Sequence, residues 1–286
     1  MNTSNRLIQR ISLPAFLILT PLISLAIPLL VSLPPEITPL MIAVIPAILA
    51  ILLTALTDGR NGVRALLKKP FDWRVSFKWY VIALGLALGL RVLMSLLALL
   101  LGWISAIQIR AWSLPQCVLL GTFILVGSAA EELGWRGYAL PKTLGKRSPL
   151  FSALLIGVIW GALHLSLIFP GQMNAGSHWL PTILQIIGLS VVLTWLYVQT
   201  GGNIVIPIVF HAGQNIFVFI NEGITLTEQL WILTVVTLVY SFVILFFFGA
   251  NMRGGRVQDP DLLSPEPAKT KQMKGNENGY RNYHPF

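Results

Sequence analysis

The sequence predicts an all-α, polytopic membrane helix bundle of about eight transmembrane helices, with both termini on the cytoplasmic side. Two observations carry this. Of 286 residues, 55% are hydrophobic and only 11% charged, and mean hydropathy is +0.74, values outside the range of soluble globular chains. The apolar residues also fall in runs close to the ~20 residues a helix needs to cross a bilayer.

Eight such runs are read at 11–33, 37–57, 79–103, 117–140, 150–169, 181–200, 203–221 and 229–249. The first follows Arg6 and Arg10 as a signal peptide would. It is too long for one, carries Pro14, Pro21 and Pro28, and shows no small-residue cleavage site, so it is taken as a retained span. With the N-terminus inside, every Lys and Arg falls in the cytoplasm except Arg91 and Arg136 within spans and Arg110 outside, and the positive-inside rule sets the orientation.

Three regions are expected: transmembrane helices 1–3 over 1–114, a helical core over 115–250, and a tail over 251–286 too polar to order itself. Within the first, the stretch 58–78 reads as a basic cytoplasmic loop. Arg60, Arg64, Lys68, Lys69, Arg74 and Lys78 stand there beside Phe71, Trp73 and Phe77, a composition suited to anionic lipid headgroups. The net charge of +9 is concentrated in short loops beside apolar runs, which points to topology and not to nucleic acid. Cys117 is the single cysteine, so an intramolecular disulfide or cysteine metal cluster is excluded.

Of eleven acidic residues only Glu131 and Glu132 lie inside an apolar run, and two of four histidines, His164 and His211, are likewise within spans. An ionisable group at the bilayer centre costs about 2.5–3.5 kcal/mol on insertion scales and is a functional candidate by default. Residues four apart share a helix face and neighbours diverge by about 100°, so Glu132 can pair with Arg136 while Glu131 points elsewhere. A carboxylate held out of water without a partner has the profile of a general base. In the fifth run Gly157 and Gly161 are spaced for close helix approach, with Trp160 and His164 on one face. In the seventh, His211 and Asn215 share a face one turn after Pro207. The rise per residue puts Glu131, His164 and His211 about 9, 21 and 12 Å from the cytoplasmic face of a ~30 Å core, and so a site at or just inside the midplane.

A carboxylate base beside a His can activate water, and a second His with an Asn amide can donate to the oxyanion of a tetrahedral intermediate. That set hydrolyses an acyl bond such as a peptide. Glu131, His164 and His211 also suit a catalytic Zn2+, and the residues alone leave both routes open. No HExxH, no intramembrane Asp and no GxSxG occurs, which excludes other intramembrane protease chemistries.

The motifs EELGWR (131–136), WGALH (160–164) and HAGQN (211–215) resemble, in order and in separate spans, the signature of the CPBP (CAAX protease and bacteriocin-processing, or Abi) intramembrane endopeptidases. The resemblance covers about residues 115–220. It implies Glu131 as the water-activating residue, His164, His211 and Asn215 as partners at the oxyanion or a metal, and Glu132 and Arg136 as support. Trp160 stands where that family most often has Phe. The resemblance further implies an integral protein of a bacterial cytoplasmic membrane that cleaves a membrane-associated peptide or lipidated protein, prenylated (CAAX-like) or of bacteriocin type. Two rivals are a non-catalytic bacteriocin immunity or scaffold protein and a small-solute transporter. The transporter carries less weight because the chain shows no internal repeat.

Overall fold

The computed structural model describes residues 3–31, 33–107, 113–216 and 224–253. Nine α-helices order the described chain: α1 (Thr3–Leu30), α2 (Thr38–Lys68), α3 (Phe77–Leu100), α4 (Leu114–Gly134), α5 (Leu140–Leu144), α6 (Pro149–His164), α7 (Trp179–Gln199), α8 (Val205–Ile216) and α9 (Leu226–Phe248). No strand occurs among the described residues. Among the described residues, seven helices are long and apolar enough to cross a membrane. They leave large apolar side chains such as Leu22, Leu84, Phe242 and Phe246 exposed for lipid to cover.

The run at 203–221 is described as far as Ile216 and forms the helix Val205–Ile216 there. Residues 217–221 lie outside the described residues, as do Arg110 and the expected disordered tail apart from 251–253. One stretch differs from the sequence expectation. The stretch 58–78, expected as a loop, is helical for half its length. The helix breaks at Gly59, where φ is 64° and only glycine is unstrained, and then runs on to Lys68. Its apolar residues Val63 and Leu66 recur three apart, so one face packs down while Arg60, Arg64 and Lys68 stay exposed. A 3-10 turn, Lys69–Phe71, follows, and Lys69 Nζ donates to Gly137 O at 2.6 Å.

Local chemistry sets the helix ends that matter for the site. Ser113 and Gln116 form a capping box at the start of α4, and Ser148 Oγ accepts from Phe151 N at 3.3 Å to open α6, with Pro149 in its first turn. Between α7 and α8, Gly201 and Gly202 both have positive φ, 66° and 90°. A side chain there would be strained, so the reversal needs the glycine pair. Asn203 Oδ1 then accepts from Val205 N at 2.8 Å and caps α8.

Without a hydrophobic drive between helices inside a bilayer, close backbone approach at small residues sets the packing. Gly157 and Gly161 seat α6 against α7: a Cβ at Gly157 would lie 2.8 Å from Ile187 Cα, and one at Gly161 3.2 Å from Ile183 Cα. Gly188 of α7 does the same against Thr237 of α9, at 2.8 Å from its Cβ. Gly134 faces the backbone of Pro46 in α2, where a Cβ would lie 2.6 Å from the carbonyl carbon and 2.7 Å from its oxygen. Directly after Gly134 the helix widens into a π turn, Trp135–Ala139, a local expansion common at functional sites. Phe16 of α1 packs edge-on against Trp135, ring centroids 5.3 Å apart.

Gly134→Ala should lower the thermal unfolding midpoint in detergent by the equivalent of about 1–3 kcal/mol, the usual cost of overpacking. Gly121→Ala, where a Cβ meets nothing within 4 Å, should leave it unchanged. Equal behaviour of the two would contradict the packing described.

Candidate active site

The three motif segments converge. Glu131 and Glu132 close α4, Arg136 sits in the π turn, Trp160 and His164 end α6, and His211 and Asn215 lie on α8. The Glu doublet and Arg136 are buried, at 7%, 0% and 0% relative exposure, and His164 and Asn215 are half-buried.

Glu132 is the most heavily used. Its Oε1 accepts from Arg136 NH1 at 3.1 Å and from His211 Nδ1 at 2.9 Å. Arg136 then reaches across the bundle, donating from NH2 to Ser190 Oγ of α7 at 3.3 Å. Ser190 Oγ in turn donates to Ala153 O of α6 at 2.8 Å. The glycine seam explains how Ser190 arrives, since a Cβ at Gly157 would stand 3.1 Å from Ser190 Cβ. The guanidinium also lies 5.1 Å from the ring centre of Trp160, a cation–π distance.

Glu131 faces a different partner. Its Oε2 accepts a hydrogen bond from the Trp160 indole Nε1. The same indole ring stands edge-on to both imidazoles, with centroids 5.7 Å from His164 and 5.3 Å from His211. Trp160 therefore gathers Glu131, His164, His211 and Arg136 around one ring, and the helix ends draw together what simple depth counting spread apart.

Donor and acceptor chemistry fixes both imidazole tautomers. His164 Nδ1 lies 3.0 Å from Trp160 O; a carbonyl can only accept, so Nδ1 carries the proton. A carboxylate likewise makes His211 Nδ1 a donor to Glu132. In both rings Nε2 is the nitrogen left for a substrate, the arrangement in which a partner on one nitrogen orients the other. Even so, among the described residues no three His, Cys, Asp or Glu side chains gather as a set able to hold a metal ion. The Glu131, His164 and His211 donors are thus near one another without forming a ligand shell.

Two arrangements differ from the face argument made on sequence. His211 meets Glu132 and not Glu131, and Trp160, noted on sequence as an aromatic in place of Phe, supplies the hydrogen bond that holds Glu131. Three contributors went unassigned on sequence: Ser190, Arg91 and Gln214. Arg91 of α3 donates from Nε to Gln214 O at 2.8 Å and from NH2 to Gln214 Oε1 at 3.1 Å. Gln214 Nε2 in turn donates to Asn215 Oδ1 at 2.5 Å. The one available signal was Arg91 itself, a charge inside a span.

Residues 112–217 match the family model of type II CAAX prenyl endopeptidase Rce1-like proteins. The segment that carries the site is similar to CAAX prenyl endopeptidases over about a third of the chain. A curated relative, CAAX prenyl protease 2 of Methanococcus maripaludis, is 30% identical over 95 residues, covering 31% of this chain and 35% of that protein. The chain thus spans about a third of the length of the curated relative it matches. All three motifs fall inside the matched segment, and Arg91 falls outside it.

Replacing Glu132 by Gln leaves Arg136 buried without its charge partner and should cost about 3–5 kcal/mol of stability. Glu131→Gln keeps an acceptor for the Trp160 indole and should cost about 1 kcal/mol. Chemical denaturation in micelles measures both, and equal losses would contradict the division of roles between the two carboxylates.

Proposed function

We propose that this chain is a CPBP-family intramembrane endopeptidase that hydrolyses a peptide bond in a membrane-associated substrate, prenylated (CAAX-like) or bacteriocin-type, through a water activated by Glu131. The observation that carries the reading is the setting of Glu131. It is a buried carboxylate anchored through Oε2 by Trp160, with Oε1 left over, beside two imidazoles whose Nε2 atoms are both available.

Glu131 takes a proton from water as the hydroxide oxygen attacks the carbonyl carbon, with the Nε2 of His164 accepting from the same water to orient it. The oxyanion that forms takes hydrogen bonds from the Asn215 amide and from His211. For this His211 enters the cycle as an imidazolium whose second proton comes from solvent, so that Nε2 donates while Nδ1–H stays on Glu132. When the tetrahedral intermediate collapses, the C–N bond breaks and Glu131 returns its proton to the leaving amine. Glu132 and Arg136 hold His211 and the helix ends in place. No step here is routed through a metal; zinc at Glu131, His164 and His211 is the alternative that a chelator tests.

We assign the exposed Arg60, Arg64 and Lys68 of the segment 58–78 to anionic headgroups at the cytoplasmic face. Neutralising all three should reduce the phosphatidylserine that stays bound to the detergent-purified protein relative to phosphatidylcholine; an unchanged ratio would remove the lipid from this account.

The purified protein in proteoliposomes, offered prenylated and unprenylated CAAX peptides and a bacteriocin precursor, should cleave one class. Glu131→Gln should reduce cleavage by more than about 10²-fold with the unfolding midpoint retained. Residual cleavage near wild type would sink the assignment. Retention of the wild-type peptide-protection or binding phenotype in Glu131→Gln would instead favour the immunity or scaffold reading. Cleavage that survives chelation supports the carboxylate route, and cleavage lost to a chelator and restored by zinc supports the metal one.

A further inference from the structure

Arg91 lies on α3, is 3% exposed, and spends two of its donors on a single residue of α8. Nε binds the Gln214 carbonyl and NH2 binds the Gln214 side-chain oxygen, at 2.8 and 3.1 Å. Such a fork is rigid, and a guanidinium has no acceptor. The Gln214 amide, 4% exposed, can therefore present only its oxygen to Arg91. Its NH2 must turn the other way, where it meets Asn215 Oδ1 at 2.5 Å. With that oxygen occupied by a donor, Asn215 has its own NH2 as the end left for any further partner.

We infer that Arg91, acting through Gln214, is a positioning residue that sets the polarity of the Asn215 amide, so that Asn215 offers a donor and not an acceptor to the site. The inference rests on the proposed hydrolysis, in which Asn215 donates to the oxyanion. An amide is nearly symmetric in shape and gains its direction only from its neighbours. An oxygen turned toward an oxyanion would repel it where an N–H stabilises it. Arg91 offsets part of its own desolvation through the Gln214 carbonyl. The relay ties α3 to α8 across 123 residues of sequence.

Gln214→Glu tests the relay with little change of shape. A carboxylate at 214 still accepts from Arg91 but cannot donate, so Asn215 must reverse and give its NH2 to residue 214. The unfolding midpoint should hold or rise, kcat should fall on the order of 10²-fold as for loss of an oxyanion donor, and KM should stay within about twofold. Gln214→Glu combined with Asn215→Ala should be no slower than Asn215→Ala alone, and Arg91→Lys, which keeps a donor, should retain most activity. A merely structural role predicts a stable Gln214→Glu enzyme with wild-type kcat, and that result, or independent multiplication of the two defects, overturns the proposal. A readout free of activity is the side-chain amide resonance pair of Asn215 in 15N-asparagine protein, assigned by its loss in Asn215→Ala. Gln214→Glu should shift that pair and Arg91→Lys should not; an unmoved pair overturns the relay. If the pair shifts but the wild type cleaves no peptide, the relay stands and the endopeptidase reading falls.

Discussion

Everything at this site depends on keeping Arg136 inside a membrane helix bundle. A guanidinium with no exposed surface is expensive unless its charge is matched and its donors are used. Glu132 matches it from one turn earlier, Ser190 takes a second donor from another helix, and the Trp160 ring lies beneath it. Because Glu132 is committed to this task, the carboxylate free for other work is its sequence neighbour. Two adjacent glutamates can divide labour because a helix points them about 100° apart. One faces Arg136 and His211, the other the Trp160 indole.

The same constraint reaches into the helix packing. Ser190 approaches Arg136 because Gly157 lets α7 run against α6, and Gly134 lets α4 press on Pro46 just before the π turn that holds Arg136. Glycine spacing, often treated only as a device for helix association, here also places hydrogen-bond partners. The burial of Glu132 and Arg136 is tolerable because the α6–α7 seam delivers Ser190, and α8 delivers His211, within bonding distance.

Much of this was legible in the sequence. Apolar run length revealed the helical membrane class, and charges inside runs singled out Glu131, Glu132, Arg136, His164 and His211. The i,i+4 rule found the Glu132–Arg136 pair because both partners share one helix. Partners on different helices were hidden for the complementary reason. Nothing in the periodicity of α7 marks Ser190, and nothing in HAGQN shows that Gln214 reaches Arg91, 123 residues away. The helical continuation after Gly59 was missed because it depends on a backbone turn at a single glycine and not on hydropathy. Trp160 was legible as an aromatic, but its indole N–H has a target only once α4 and α6 are laid side by side.

The central claim is that His211 serves Glu132 while Glu131 is left to the chemistry. Two double-mutant cycles on unfolding free energy, pairing His211→Ala with Glu132→Gln and with Glu131→Gln, test it most directly. Groups in direct contact within a network couple by about 0.5–3 kcal/mol, and independent ones add within about 0.5 kcal/mol. The account predicts strong coupling for His211 with Glu132 and near-additivity with Glu131. Strong coupling to Glu131 and none to Glu132 would contradict it.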